Sequence, residues 1–263
     1  MSKKGYIAFL AVILVIAGLI LYVNHQSKLP PPAQAGQPQA PDPKFDEATM
    51  QRNWAKLIKA CPSAPAGNPH AKWTVLEVGD FQCPNCGDAE PLITRTMAES
   101  NGKAKMYFLN FPITNAHPHA LVAAEAGEAA AAQNKFWPMY QLLYSHQDEL
   151  IDSEIEYNAQ SIAGLDTKRL AAEMASHKYI PDIVAQVLAA SAVGLHSVPT
   201  VFVRSPTGKV TWYCGTGGTK NVPGIAAFAS NFPWGGGLGA AAVEAELKSE
   251  YDAERDAAMG QTQ

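Results

Sequence analysis

The sequence predicts an α/β fold in which a long helical insertion divides a β-sheet and one N-terminal transmembrane helix precedes it. Three observations support this prediction. An apolar strand pattern at residues 73–79 leads directly into two cysteines, Cys83 and Cys86, and then into a helical pattern. Helical periodicity fills residues 117–194, and strand patterns lie on both sides of it. An uncharged apolar stretch occupies residues 5–23.

Composition restricts the classes of function. A chain of 263 residues is long enough for one large domain with insertions or for two small domains. A formal net charge of -4, with no basic run, argues against a nucleic-acid partner. Four cysteines are too few for a disulfide-rich scaffold, although an even number in an exported chain permits two disulfides.

Residues 1–24 are expected to form a membrane anchor, with a cleaved signal peptide as the alternative. Lys3 and Lys4 precede the apolar stretch, whose length suits a helix that spans a bilayer. Positive residues favour the cytoplasmic side, so the sequence predicts a single-pass inner (cytoplasmic) membrane protein with its remaining residues in the periplasm. Ala33-Gln34-Ala35 resembles a cleavage site, but it lies far beyond an apolar run that is longer than a usual signal core.

Residues 25–44 are rich in proline, glutamine and alanine, and they are expected to form an extended spacer. A disordered linker without a set length is the alternative. The remaining predicted boundaries are residues 45–116 for the first part of the sheet domain, 117–194 for the helical insertion, 195–234 for the second part, and 235–263 for a Gly-rich break and a C-terminal helix.

The elements before the insertion are predicted from periodicity and from helix breakers. Residues 45–60 carry apolar side chains at helical spacing and end at Cys61, which proline follows. A helix over residues 87–100 contains Pro91, which is expected to kink it. A second strand is expected at residues 104–111.

Helix signals within the insertion are followed by two more strands. Asp166 is expected to cap one helix, and Pro181 is expected to begin the last helix of the insertion. Four apolar residues of that last helix are expected to face the core: Ile183, Val184, Val187 and Leu188. Strands are predicted at residues 200–204 and 210–214. A final helix at 240–259 has an apolar stripe that is expected to pack on the domain rather than recruit a partner: Val243, Leu247 and Tyr251.

The cysteine pair lies where a redox-active disulfide is favoured. Two cysteines two residues apart, between a strand and a helix, are typical of a redox motif. Cys83 is expected at the helix N-cap and Pro84 at the first helical position, where its missing N–H costs nothing. Unpaired N–H groups and the helix dipole then lower the pKa of Cys83. We therefore expect Cys83 to be the exposed attacking sulfur and Cys86 the buried resolving one.

No metal and no other cofactor is expected. A tetrahedral zinc site needs two ligands beyond the cysteine pair, and the remaining cysteines, Cys61 and Cys214, are isolated in the sequence. His117 and His119 flank a helix start, where a capping or packing role is favoured over metal binding.

Two positions near the pair have alternative interpretations. If Glu77 faces inward, burial raises its pKa and lets it shuttle a proton for Cys86, whereas strand alternation would point it to solvent. A cis peptide bond before Pro199 would present the Val198 backbone to an extended substrate, whereas a trans proline at a strand start is the common case.

Cys61 and Cys214 are expected to form a structural disulfide. Cys61 follows the first helix and Cys214 ends the last strand, and a bond is favoured over two free thiols in an oxidising compartment. Closing so long a loop contributes about 4 kcal/mol in the chain-entropy model. Two buried thiols, or an auxiliary relay pair, are the alternatives.

Six motifs occur in a fixed order along the chain. They are Gly67-Asn68-Pro69-His70-Ala71, Asp80-Phe81-Gln82-Cys83-Pro84-Asn85-Cys86, Phe111-Pro112, His117-Pro118-His119-Ala120, Lys135-Phe136-Trp137 and Val198-Pro199-Thr200. In their order and spacing, residues 64–232 resemble the DsbA-like thiol:disulfide oxidoreductases, a thioredoxin-fold family with an inserted helical domain. The resemblance implies a thioredoxin-like fold with an inserted all-helical subdomain for this chain.

The resemblance also implies a site and partners. The expected catalytic positions are Cys83, Cys86, Glu77 and Pro199, and the expected substrate-binding positions are Val198, Pro84 and Asn85. Pro199 would be cis and next to the cysteine pair, and Glu77 would be the buried acid of the fold. Family members oxidise cysteine pairs in exported proteins, and a quinone-linked membrane oxidase reoxidises them. We therefore expect unfolded or reduced exported proteins and such an oxidase as partners.

One departure from the family concerns the two residues between the cysteines. Pro84-Asn85 stands where the strongest oxidants of the family carry Pro-His. The missing imidazole removes a favourable contact to the thiolate, so we expect a less extreme reduction potential, roughly -120 to -270 mV. A disulfide isomerase or reductase with the same site, and a non-enzymatic chaperone, are the alternatives.

Overall fold

The computed structural model describes residues 47–215, and the predicted anchor, spacer and C-terminal helix lie outside these residues. The strands are β1 (Ala66–Gly67), β2 (Trp73–Gly79), β3 (Ala104–Asn110), β4 (Thr200–Arg204) and β5 (Val210–Cys214). They form one sheet in the order β1-β3-β2-β4-β5. The predicted strands β2, β4 and β5 are confirmed, and β3 ends one residue earlier than expected.

Within the described residues the helices are α1 (Glu47–Ala60), α2 (Pro84–Glu99), α3 (Ala120–Ala131), α4 (Phe136–Ser145), α5 (Asp152–Asn158), α6 (Thr167–Ala175) and α7 (Ile180–Ser191). None of these helices is long and apolar enough to cross a bilayer. The five helices α3 to α7 all lie between β3 and β4 in the chain, which confirms the predicted insertion. Pro91 lies inside α2, and Asp166 caps α6 by accepting the Arg169 N–H at 3.0 Å, as expected.

Strand β2 is the centre of the sheet and positions the loop that carries the cysteines. It pairs in parallel with β3 and antiparallel with β4. Six of its seven residues are buried, which explains its nearly continuous apolar sequence. Strand β1 was not predicted because two residues are too short to show a periodicity. It pairs antiparallel with the outer side of β3, where Gly67 has a φ of +80°.

An aromatic cluster joins the insertion to the sheet. Phe81, from the loop after β2, stacks on Phe108 of β3 at 4.9 Å between ring centroids. Tyr144 of α4 lies 5.0 Å from Phe81, and Tyr140 of α4 lies 5.4 Å from Phe108. Buried aromatic pairs each contribute about 0.5–1.5 kcal/mol beyond their buried area. Helix α4 is therefore anchored against the end of the sheet at which the cysteines lie.

The predicted core face of α7 is wrong at two positions. Val184 and Leu188 are 48% and 63% exposed, whereas Gln186 is buried. Gln186 Oε1 accepts the Asn110 backbone N–H at 2.8 Å, and its amide donates to the Glu128 carboxylate. These buried hydrogen bonds fix the rotation of the helix, because leaving such groups unpaired would cost more than exposing two aliphatic side chains.

The predicted disulfide between Cys61 and Cys214 is also wrong, because both thiols are free. Helix α1 starts near the β4–β5 turn, where the Gln51 amide donates to the Gly208 carbonyl, and it carries Cys61 away from β5. The C-terminal end of α1 brings Cys61 close to Tyr107 of β3. Burial raises the pKa of Tyr107, and the nearby Cys61 thiol raises it further. Strands β3 and β5 are three positions apart in the sheet. Strands β2 and β4 lie between them, so Cys61 beside β3 is not placed to bond with Cys214 at the end of β5.

Candidate active site

The two cysteines occupy the first turn of α2, as predicted. Cys83 is the N-cap residue with extended backbone angles, and Pro84 is the first helical residue. The Cys83 carbonyl accepts the N–H groups of Cys86 and Gly87 at 3.0 and 3.1 Å. Cys86 is completely buried, and Cys83 is only 5% exposed, so Cys83 is buried rather than exposed as predicted. Its neighbours Pro84 and Asn85 are exposed.

The surroundings of the two thiols move their pKa values in opposite directions. A hydrogen bond from the Cys86 thiol lowers the pKa of Cys83 to about 7, burial opposes this, and the Cys86 backbone N–H and His117 support it. Burial raises the pKa of Cys86 well above its ordinary value, and its hydrogen bond with Cys83 adds to the effect. Cys83 is therefore the thiol that ionises near neutral pH, and Cys86 is the one that retains its proton.

Glu77 faces inward, into the cluster formed by α4. It is fully buried, and burial raises its pKa to about 8, although a hydrogen bond from Tyr140 opposes the rise. The Tyr140 hydroxyl donates to Glu77 Oε2 at 2.7 Å, and the Tyr144 hydroxyl lies 3.4 Å from Oε1. Glycine at position 79 makes room for this group, because a Cβ there would lie 2.8 Å from the Tyr144 hydroxyl and 3.1 Å from Glu77 Oε1.

The Val198–Pro199 peptide bond is cis, as the resemblance implied. Thr200 pairs with Val78 near the end of β2, so the loop before β4 and the loop that carries Cys83 leave the sheet at the same edge. Val198 is buried at 9% exposure. The Cys214 thiol lies behind this loop, 3.0 Å from the Ser197 hydroxyl and 3.4 Å from the Thr200 hydroxyl.

Asp80 and Gln82 lie in the loop between β2 and α2, which we call the cysteine loop. They form hydrogen bonds with the loop between β3 and α3, a role that sequence reasoning missed. The buried Asp80 carboxylate lies 2.7 Å from His117 Nδ1 and accepts the Ile113 N–H at 2.8 Å. Gln82 Oε1 accepts the His119 N–H at 2.6 Å. All except Ile113 belong to the motifs that carry the resemblance, so the motif positions are the available signal. The expected capping or packing role does not describe the His117 ring, which contacts Asp80.

Gln147 is a second missed residue, from the short 3-10 turn after α4. Its amide donates to the Phe81 carbonyl at 2.7 Å and to the Cys83 carbonyl at 3.1 Å. Glycine at position 87 makes this approach possible, because a Cβ there would overlap Gln147 Oε1. No local pattern indicates this contact, since it joins residues more than 60 positions apart.

In the region from residue 47 to residue 215, no group of three or more His, Cys, Asp or Glu side chains is placed to hold a metal ion. The acidic and sulfur groups at the site are instead arranged as one reactive thiol, one protonated thiol and one buried acid. This arrangement can exchange a disulfide and move a proton.

A family model described as Thioredoxin matches residues 62–207, which is more than half of the chain. The chain belongs to the thioredoxin family. The matched residues include the cysteine pair, Glu77, the whole helical insertion and Pro199. Cys61 and Cys214 lie just outside them.

Solved structures place this thioredoxin-family chain among DsbA-like folds. It is similar to the thiol-disulfide exchange protein α-DsbA2 from Wolbachia pipientis, with a TM-score of 0.55, 18% identity, and coverage of 64% of this chain and 87% of that one. It is also similar to BdbD from Bacillus subtilis, with a TM-score of 0.51, 20% identity, and coverage of 58% and 84%. At these identities the likeness shows the fold, and it confirms the thioredoxin-like α/β architecture with a helical insertion.

Curated relatives match part of their own length. Residues of this thioredoxin-family chain are 37% identical over 138 positions to Na(+)/H(+) antiporter NhaA 3 of Salinispora tropica, covering 52% of this chain and 21% of that protein. They are 34% identical over 148 positions to Na(+)/H(+) antiporter NhaA 1 of Mycolicibacterium gilvum, covering 56% and 24%. The chain therefore spans about a fifth to a quarter of the curated relatives that it matches.

Proposed function

We propose that this chain is an extracytoplasmic thiol:disulfide oxidoreductase that donates disulfides to exported proteins through Cys83 and Cys86. The observation that carries the proposal is the opposite shift in pKa of these two thiols at one helix N-terminus. A stabilised Cys83 thiolate favours the reduced form of the pair, so the bonded form tends to pass its disulfide to a substrate.

The reaction proceeds by two thiol–disulfide exchanges. A substrate thiolate attacks Cys83 Sγ, the bond between Cys83 and Cys86 breaks, and Cys86 leaves as a thiolate. A second substrate thiolate then attacks the substrate sulfur of the mixed disulfide and releases the Cys83 thiolate. The substrate loses two electrons and gains a disulfide, and the cysteine pair gains those electrons.

Glu77 is the proposed proton donor to Cys86. The leaving thiolate of Cys86 needs a proton, because burial holds its pKa well above neutral. Glu77 is fully buried and acts electrostatically on Cys86, and with a pKa of about 8 it is mostly protonated at neutral pH. Reoxidation of the pair requires the reverse transfer, which the same group can perform.

The proposed substrate contacts are Pro84, Asn85 and the backbone of Val198. In support, the first two are exposed beside Cys83, and the cis-proline loop leaves the same edge of the sheet. The resemblance assigns the residue before the cis proline to backbone contacts with an extended substrate. Unfolded or reduced exported proteins are the substrates that suit such contacts.

The proposed setting is the periplasmic side of the inner membrane. Residues 1–24 serve as the anchor and residues 25–44 as the spacer, followed by the sheet domain interrupted at residues 117–194. A quinone-linked membrane thiol oxidase is the proposed reoxidant. This setting is supported by the charge and hydropathy pattern of the first residues.

The test mixes the oxidised full chain with a reduced unfolded protein that contains one cysteine pair. One disulfide transferred per chain, with the loss of the bond between Cys83 and Cys86, is the expected result. Cys83→Ser should transfer none. No transfer by the wild-type chain, together with equal suppression of the unfolded protein's aggregation by wild type and Cys83→Ser, would instead identify a non-enzymatic chaperone.

The direction of electron flow in the cell is tested by thiol trapping of the native chain. An oxidase is expected to be mostly oxidised at Cys83 and Cys86. A mostly reduced pair would contradict the oxidase and identify an isomerase or reductase that uses the same residues.

A further inference from the structure

Two polar side chains that have no role in the exchange steps converge beside Cys83. Asp80 is three residues before Cys83, and its carbonyl accepts the Cys83 N–H at 3.1 Å, which fixes the two residues relative to each other. His117 comes from the loop between β3 and α3, and its Nδ1 lies 2.7 Å from Asp80 Oδ2. The Asp80 side chain is fully buried, whereas the His117 side chain is 19% exposed.

The hydrogen bonds of Asp80 hold the carboxylate and the His117 ring in place. The carboxylate also accepts the N–H groups of Gln82 and Ile113, both at 2.8 Å, so Asp80 is held from three directions. A carboxylate oxygen accepts hydrogen bonds, so His117 Nδ1 is placed to donate to Asp80. This contact fixes the orientation of the imidazole ring.

The two residues between the cysteines carry no positive charge that could stabilise the Cys83 thiolate. Asn85 is neutral and exposed, and Pro84 has no polar side chain. A thiolate at a helix N-terminus is stabilised further by a nearby positive charge. The β3–α3 loop is the element that brings an imidazole to this position, and Gln82 secures the same loop through the His119 N–H.

We propose that His117, oriented by the buried carboxylate of Asp80, is a positioning residue that supplies the positive charge beside the Cys83 thiolate. This inference rests on the proposed function, because it explains how a Pro-Asn pair can support an oxidising disulfide. The titratable groups with the largest effects on Cys83 include Cys86, His117 and Asp80. His117 favours the thiolate, Asp80 opposes it, and the effect of His117 is the larger of the two.

The test measures the Cys83 thiolate in the reduced full chain, by ultraviolet absorbance and by the pH dependence of its alkylation. His117→Ala removes the cation and leaves the negative charge of Asp80, so the midpoint for Cys83 should rise by about one pH unit. His117→Gln keeps an N–H donor for Asp80 without a charge, and it should show the same rise. His119→Ala is the matched control in the same loop, because the backbone of His119 rather than its ring contacts Gln82, and it should leave the midpoint unchanged.

Two results would overturn the inference. The first is a midpoint in both His117 variants that matches the His119→Ala control. The second is a wild-type midpoint in His117→Gln together with a raised one in His117→Ala, which would assign His117 a structural role alone. If His117→Ala does not fold, His117→Gln against the control decides the question. Because these measurements use the reduced chain without substrate, they are independent of the disulfide-transfer test of the proposed function.

Discussion

At the scale of single residues, the site depends on where three acidic protons are held. Cys83, Cys86 and Glu77 lie within one strand and one helical turn, yet their environments differ. Hydrogen bonds from Cys86 lower the pKa of Cys83 to about 7, whereas burial raises that of Cys86 well above its ordinary value and that of Glu77 to about 8. At neutral pH the site therefore has one partly ionised thiol, together with a thiol and a carboxyl that are both protonated.

The first prediction concerns the thiols of the reduced chain. Alkylation of Cys83 should reach half its maximal rate near pH 7, because only the thiolate reacts. Cys86 should remain unmodified at that pH. Cys61 is an internal comparison, since burial raises its pKa far above the ordinary value. Peptide mapping after timed alkylation measures all three, and faster labelling of Cys61 than of Cys83 would contradict the assignment.

A second prediction at this scale concerns stability. In the folded chain Glu77 keeps its proton up to about pH 8, whereas its ordinary value is 4.5. The folded state therefore binds more protons between these values, so this contribution to stability is complete below pH 4.5 and is lost as the pH rises through 8.

The free energy of unfolding of the Glu77→Gln variant should lack this pH dependence. Above about pH 8 it should be higher than that of the wild type by a few kcal/mol. Denaturant unfolding at several pH values measures the difference. The control is Glu99→Gln, at the exposed end of α2, which should keep the wild-type slope. Equal slopes for wild type and Glu77→Gln would show that Glu77 is ionised in the folded chain.

At the scale of secondary-structure elements, the helical insertion contributes directly to the site. Helix α4 provides the tyrosines that hold Glu77, and the turn after it provides Gln147, whose amide binds the Phe81 and Cys83 carbonyls. The insertion thus fixes the loop before α2 from one side, while the β3–α3 loop fixes it from the other through Asp80.

Gln147→Ala should lower the free energy of unfolding by about 1–2 kcal/mol, because the Phe81 and Cys83 carbonyls each lose one hydrogen bond. It should also accelerate alkylation of Cys83 by loosening the loop. Gln160→Ala is the control, as Gln160 is an exposed residue of the same insertion. Identical unfolding of both variants would mean that Gln147 does not fasten the loop.

The elements also show what the sequence can predict. Strand patterns located β2, β4 and β5, because their alternation or apolar runs are local. The core face of α7 could not be predicted, since Gln186 is held by Asn110 and Glu128 from distant elements. Gln147 shows no local signal for the same reason. The bond between Cys61 and Cys214 is expected from an oxidising compartment, but the strand order that separates the two residues is not visible in the sequence.

At the scale of the whole molecule, the fold brings together parts of the chain that are more than 100 residues apart. The cysteine loop follows β2, and the cis-proline loop precedes β4, which is its antiparallel neighbour. The family match covers both, and the similar solved structures share this architecture. The resemblance in sequence predicted this juxtaposition, whereas the residues around Pro199 alone left the cis and trans forms open.

The reduction potential of the bond between Cys83 and Cys86 tests the central claim most directly. It is measured by equilibrating the full chain with defined ratios of reduced and oxidised glutathione. The account predicts a value in the window of roughly -120 to -270 mV, above that of thioredoxin. A value below about -270 mV would contradict the account, because the pair would then retain its disulfide instead of donating it.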